Sequence, residues 1–421
     1  MIDYFRRVYP AGLIGMVMLM AVRVAVAREY STQLMPYTSG DYPDLGLKDE
    51  VSDLGHRARG FYIIPRYLER YGPKKIGQEM RAAHVNAVVF DVKDDAGQLM
   101  WDSHTELGQL TEREKIKDPR QMVQAFHDEG IYVIARIVSF KDSLLSRLRP
   151  DLSVRAGASG RWRFFVRSGW IDAYSREVQD YLIDIAREWE AFGVDEVQFD
   201  YIRFPKGRGS GSAKWIHRPR VNPPTRAQLI AGFLERADRA LGIPISADVY
   251  GLTTLVDGDP RGLGQDIQQL SPFVEAISPM MYAKGMRAYF GSEAAFKAGI
   301  YKLIQCGLWR ARAKAPHVIL RPYLQSYPNG VRSFFYDRSH GFIARQIRAV
   351  ERAGASGLLF WNPYMPNQQH NRSAKWGLMS REVEDLDSFG ENAKDPDAYN
   401  MGEPPANFRC PAAGEGHVFG N

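Results

Sequence analysis

Asp200 closes the run Val197-Gln198-Phe199-Asp200-Tyr201-Ile202-Arg203-Phe204-Pro205, and Asp248 lies near the end of Ile245-Ser246-Ala247-Asp248-Val249-Tyr250. Both runs begin apolar and turn polar only at their ends. Two carboxyl groups presented this way can share one reaction. One gives a proton to a leaving oxygen, and the other attacks or activates water. We assign Asp200 as nucleophile or base and Asp248 as acid. Arg203 and Tyr250 follow them closely and are expected to orient them. Period-two alternation puts Gln198 and Asp200 on one strand face, and Ser246 and Asp248 on another. The plainer alternative for Asp200 is a structural ion pair with Arg203, and for Asp248 a bond to a neighbouring strand end.

These runs belong to a series. Apolar segments occur at 60–65, 87–93 and 132–138, at the run ending in Asp200, and at 245–251, 276–282, 317–323 and 357–362. Their length and bounding turn residues predict strands buried on both faces. Helix-spaced apolar residues lie between many of them, at 76–83, 122–129, 178–192, 229–241 and 343–353. Gly130, Gly193, Gly242 and Gly354 stand where helix C-caps are expected. Eight strand signals alternating with helices predict an α/β fold, a (β/α)8 TIM barrel with long loops after strands 3 and 4. An open doubly wound sheet is the runner-up, but no Gly-rich phosphate turn follows an early strand.

In such a barrel the C-terminal strand ends face one cavity. Besides Asp200 and Asp248, they carry Asp91, Lys93, Asp94, Arg136, Arg203, Tyr250, Tyr282, Arg321, Tyr323, Trp361 and Asn362. Carboxylates and arginines hydrogen-bond hydroxyls, and aromatic faces stack on the C–H surface of a sugar ring. The set therefore predicts a carbohydrate substrate. Asp91 and Asp94 are reserve carboxyls, although Asp91 and Lys93 also suit a structural ion pair. Two insertions fall on the same side, at 141–174 with Trp162, Phe164, Phe165 and Trp170, and at 206–224 with Trp215 and His217. Their aromatics and arginines suit a polymeric, even anionic, glycan, or serve only to fold the loops onto the barrel.

The chain has 421 residues and a net charge of +6, with basic residues spread along its length. That distribution predicts no nucleic-acid partner. No zinc-spaced Cys/His set occurs, so neither a metal nor a cofactor is expected. Cys306 and Cys410 could form one disulfide or remain two thiols. Arg6-Arg7, the apolar stretch 11–22 and Ala25-Val26-Ala27 predict a secretory signal over 1–27. The alternative is an uncleaved anchor, which would be the only membrane contact. Either way the domain is expected to be exported, to the periplasm or the medium. Residues 28–59 read as an extension or linker, 60–380 as the barrel, and 381–421 as an irregular tail.

The segments Gly193-Val194-Asp195-Glu196-Val197-Gln198-Phe199-Asp200-Tyr201-Ile202-Arg203-Phe204-Pro205, Phe90-Asp91-Val92-Lys93-Asp94 and Ser278-Pro279-Met280-Met281-Tyr282 carry a resemblance. They resemble the strand-4, strand-2 and strand-6 motifs of the "putative glycosyl hydrolase" family of bacterial TIM barrels, a relative of amylase-like and chitinase-like barrels. The likeness extends over about 60–380. It implies a carbohydrate-active barrel, with the strand-4 carboxylate, here Asp200, as nucleophile or base. Relatives often carry a glutamate acid on a neighbouring strand, where this chain has Asp248. Two functions follow as expectations: an exported glycoside hydrolase, or a non-catalytic carbohydrate-binding or envelope-scaffold barrel. A metal-dependent hydrolase would need clustered histidines at the strand ends, and there are none.

Overall fold

The computed structural model describes residues 51–113, 115–156, 169–206, 210, 213–287, 290, 292–326, 341–362 and 410. Eight parallel strands form a closed ring: β1 (Arg59–Ile63), β2 (Ala87–Lys93), β3 (Tyr132–Val138), β4 (Glu196–Asp200), β5 (Ile245–Tyr250), β6 (Ala276–Met280), β7 (Ile319–Leu320 and Tyr323–Gln325) and β8 (Leu358–Trp361). Each strand pairs with the next, and β8 returns to β1 with Arg59 opposite Leu358. Strand β7 is broken at Arg321-Pro322 because proline has no N–H to give the ladder. Both halves still pair with β6, the second through Tyr323 opposite Met280.

The helices follow their strands around the ring: α1 (Pro73–Ala82), α2 (Pro119–His127), α3 (Arg176–Phe192), α4 (Arg226–Ala240), α5 (Glu293–Lys314) and α6 (Gly341–Arg352). Local chemistry fixes their ends. Ser175 Oγ accepts from Val178 N at the start of α3, and Gly193 caps its end at φ 99°. Thr225 and Gln228 form a reciprocal capping box on α4. Helix α5 has no counterpart among the helical patterns of the sequence. Its buried Phe296, Ile300, Leu303, Ile304, Leu308 and Ala311 leave no polar stripe of helical period to recognise.

The two faces of the strands differ in kind. Outward residues such as Val88, Phe90, Val133, Ile137, Val197, Phe199, Ala247 and Val249 join the large apolar cluster beneath the helices. There Trp189 is fully buried, edge-on to Phe90 at 5.5 Å and to Trp101 at 5.2 Å. Inward positions carry a small apolar set (Ala87, Val89, Ile134, Leu359) among polar side chains. Below the ring, the helical turn Asp53–His56 closes the N-terminal ends of the strands. Its Gly55 lies so close to Tyr132 that a Cβ there would come within 2.9 Å of the ring. This turn falls inside the segment 28–59 expected to be an extension or linker. The two predicted insertions meet in an antiparallel pairing of Arg155–Ala156 with Ala213–Lys214. Cys306 of α5 is bonded to Cys410, with Cα atoms 5.6 Å apart. Among the described residues no helix is long and apolar enough to cross a membrane. The predicted signal 1–27, the extension up to residue 50 and most of the tail lie outside the described residues.

Candidate active site

The polar side chains inside the barrel stack in three levels. At the bottom, Glu196 accepts from Ser246 Oγ at 2.5 Å, Arg321 Nη2 at 2.7 Å and Tyr132 OH at 3.1 Å. In the middle, Tyr323 OH donates to Gln198 Oε1 at 2.7 Å, and Gln198 Nε2 donates to Ser278 Oγ at 3.3 Å. At the top, where the strands end, Arg136 collects three carboxyls. Its Nη1 donates to Asp91 Oδ1 and its Nη2 to Asp200 Oδ2, while its Nε lies 3.6 Å from Asp248 Oδ2. Strand register makes this meeting possible: Asp91 stands opposite Arg136, and Asp200 opposite Val138, two residues further along the same strand.

The three carboxyls are not equivalent. Asp200 accepts from Arg136 with one oxygen and from the N–H of Tyr201 with the other. Tyr201 holds φ at 52°, a left-handed conformation that costs a non-glycine residue about 1–3 kcal/mol and recurs at functional sites. Asp91 accepts from Tyr62 OH at 2.6 Å as well as from Arg136. Burial nonetheless pushes it up to about 6, against the pull of Arg136. Neither oxygen of Asp248 accepts a hydrogen bond. Burial pushes Asp248 well above the ordinary carboxyl range, the neighbouring Asp200 pushes it further, and Arg136 opposes both. Asp200, with both oxygens bonded, and Asp248, with neither bonded and its pKa pushed up by burial, thus sit side by side at one guanidinium.

Aromatic rings wall the site. Trp361 stacks on Tyr62 with ring centroids 3.9 Å apart, Tyr282 lies 6.5 Å from Trp361, and Arg136 lies 5.2 Å from the Trp361 ring centre. Arg203 sits apart from the carboxyls, over Trp170, Tyr201 and Tyr250. Among the described residues no cluster of three His, Cys, Asp or Glu side chains could hold a metal ion.

The structure brings Asp91, Arg136, Asp200 and Asp248 together and places Tyr250, Tyr282 and Trp361, each partly exposed, around them. Other expected residues lie elsewhere. Lys93 is fully buried and pairs with Asp142 at 2.8 Å and Val138 O at 2.9 Å, not with Asp91. A bulge between Asp91 and Lys93 puts Lys93 opposite the outward-facing Ile137, off the inner face. Asp94 caps the following turn, accepting from Ala96 N and Gln98 N. Arg321 is sealed at the barrel bottom with Glu196, and Asn362, also buried, ties Ser326 O. Tyr323 lies under the carboxyls as floor, with its hydroxyl committed to Gln198. Arg203 does not hold Asp200; Arg136 does. Trp215 packs on Phe204 at 4.7 Å, and His217 Nε2 bonds Asp151 O at 2.9 Å, so both knit the loops together. Trp162, Phe164 and Phe165 lie outside the described residues.

Sequence reasoning passed over Tyr62, Tyr201 and Lys141. Tyr62 carried a signal, an inward-parity tyrosine in strand 1. The left-handed turn at Tyr201 carried none.

Residues 74–366 match the model of a family described as "Putative glycosyl hydrolase domain". No curated protein matches the chain. A hypothetical protein from Ruminiclostridium thermocellum is 32% identical over 45% of this chain and 97% of its own, at a TM-score of 0.40. The PgaB (BpsB) glycoside hydrolase domain from Bordetella bronchiseptica is similar in fold at a TM-score of 0.54, with 11% identity over 77% of this chain and 99% of that one. Alpha-L-fucosidase isoenzyme 2 from Paenibacillus thiaminolyticus gives 0.52, with 13% identity over 80% of this chain and 50% of that enzyme. At these identities the last two likenesses concern the fold alone.

Proposed function

The chain belongs to that glycosyl hydrolase family, and from this premise we propose that it is an exported glycoside hydrolase acting on a polysaccharide or oligosaccharide. The observation that carries the reading is the convergence of Asp200 and Asp248 on Arg136, one with both oxygens bonded and the other with neither. Asp200 attacks the anomeric carbon or activates water against it. Asp248 gives its proton to the leaving oxygen, and Arg136 holds Asp200 while spreading the charge between them. Trp361, backed by the buried Tyr62, and Tyr282 offer the stacking surface a pyranose ring needs. A carbohydrate-binding barrel without turnover would have no use for an acid left without donors, and this favours the enzyme over the binding module.

A second assignment of the acid has an observation of its own. The Asp91 side chain is 7% exposed, whereas that of Asp248 is 1% exposed, so Asp91 is better placed to reach a leaving group. Asp248 would then serve to tune Asp200. Export is supported by the signal-like N-terminus and by the Cys306–Cys410 bond, which suits an oxidising compartment.

The test is reducing-end release by the purified protein from cell-wall, exopolysaccharide and storage-glucan substrates, with Asp200→Asn as control. Cleavage by wild type and none by the variant supports the reading. Binding without cleavage of any glycan would move the protein to the binding-module class.

A further inference from the structure

Among the described residues, Arg203 is the cation at this site without an acid. Arg136 has three carboxyls, and Lys141 lies 2.6 Å from Asp95. Arg203 has no carboxylate partner among the described residues. Its one hydrogen bond among the described residues runs from Nη1 to Phe204 O at 3.3 Å. Its guanidinium carbon lies 4.8 Å from each of three ring centres, Trp170, Tyr201 and Tyr250. These rings fix the guanidinium and satisfy its flat faces, but they cannot use its in-plane N–H donors. Most of its five donors therefore stay unused on a partly buried side chain whose geometry is already set.

The place of this platform ties it to the reaction. Tyr201 directly follows Asp200, and Tyr250 lies two residues beyond Asp248. Trp170 comes from the loop after β3 and is bridged to Lys141. The platform thus stands on the rim of the same mouth, within reach of a sugar ring bound at or next to the cleavage point. A pre-set, planar, unneutralised guanidinium matches a carboxylate with two parallel hydrogen bonds. A neutral sugar hydroxyl would take one or two of those donors and leave the charge uncompensated beneath the bound sugar.

We infer that Arg203 anchors the carboxylate of a hexuronic acid, so that the substrate of this site is a uronic-acid-containing glycan. The inference rests on the glycoside hydrolase reading for its place in a reaction, but not for binding.

The experiment uses the mature full chain with oligosaccharides of polygalacturonate, polyglucuronate and alginate, each beside its carboxyl-reduced counterpart of the same linkage. Binding is read by titration calorimetry and cleavage by kcat/KM. Wild type should prefer at least one uronate over its reduced partner by about tenfold or more. Arg203→Met, which keeps an unbranched apolar stem but removes the charge and the N–H donors, should bring that preference to about twofold or less, and Arg203→Lys should restore only part of it. Three results would overturn the inference: equal treatment of the two members of every pair, an equal loss on both in Arg203→Met, or no binding of any uronate in the set. A uronate preference in binding without cleavage would sink the hydrolase reading and leave the anchor standing. Cleavage of neutral glycans with no uronate preference would do the reverse.

Discussion

Glu196 and Asp248 are two acids inside the same barrel, on neighbouring strands, each with its side chain about 1% exposed. Glu196 receives hydrogen bonds from a serine, a tyrosine and an arginine. Asp248 receives none. Burial is the same and the consequence is opposite. A buried carboxylate with its lone pairs filled is a structural tie, whereas one left without donors is driven to keep its proton. The bottom of the barrel therefore ties strands together, and the top holds an acid, Asp248, that burial and the neighbouring Asp200 push above the ordinary carboxyl range. Residue type does not distinguish the two regions, since both consist of acid, arginine and tyrosine. Donor count does.

The comparison breaks most sharply at the carboxyls of the upper level. Asp200→Asn should lower turnover on a cleaved glycan by about a thousandfold or more, with little change in the denaturation midpoint. Full activity in that variant would remove the upper level from the chemistry. Asp248→Asn should cost about 10²–10⁴-fold if Asp248 is the acid. If it is silent and Asp91→Asn carries the loss, the acid is Asp91.

Next in size is the lower level. Arg321→Met leaves Glu196 buried without its cation and should cost about 3–5 kcal/mol by urea unfolding. The folded fraction should keep the wild-type KM and kcat, and a selective loss of kcat would show that the two levels are not separate.

The pH dependence sharpens the same contrast. Asp248 has a folded pKa raised above its unfolded value, so the native state binds the extra proton. Its contribution to stability is complete below the unfolded pKa and is lost as pH rises through the folded one. Asp91, pushed up to about 6, behaves likewise between its unfolded pKa of about 4 and that value. Wild-type stability should therefore fall relative to Asp248→Asn as pH rises, and activity should decline on the alkaline side as Asp248 loses its proton. A pH-independent difference between the two proteins would contradict a protonated Asp248.

The smallest effect is expected at Tyr201→Gly. Relief of the left-handed backbone returns about 1 kcal/mol or more, and the lost contacts with Arg203 and Trp170 take back a similar amount. Unfolding should show a net change within about 1 kcal/mol, while turnover falls because Asp200 loses a fixed N–H donor.

Much of this was legible without coordinates, for identifiable reasons. A strand covered by helices on its outer face must be apolar at alternate positions, so Phe199, Val249 and Phe360 announce themselves. Asp200 and Asp248 were visible as polar residues at the ends of such runs. Lys93 misled because a bulge is invisible to period-two counting. Arg321 misled because its strand breaks at Pro322, which obscures which end of the barrel the side chain occupies. Helix α5 was missed because apolar residues cover too much of its surface to leave a stripe.

The sequence by itself determined the eight strands, their order and the two aspartates, since these depend on local periodicity and on the geometry of parallel strand connections. Only the tertiary structure decided which arginine serves them. In sequence Arg203 lies three residues from Asp200 and Arg136 lies on another strand, so sequence favoured the wrong arginine. Ring closure and the stagger between β2, β3 and β4 place Arg136 between Asp91 and Asp200, while the left-handed turn at Tyr201 sends Arg203 away onto three aromatic rings. The upward shift of Asp248 depends on the tertiary structure in the same way, because donors reach a side chain from every strand around the barrel and no single segment of chain encodes their number.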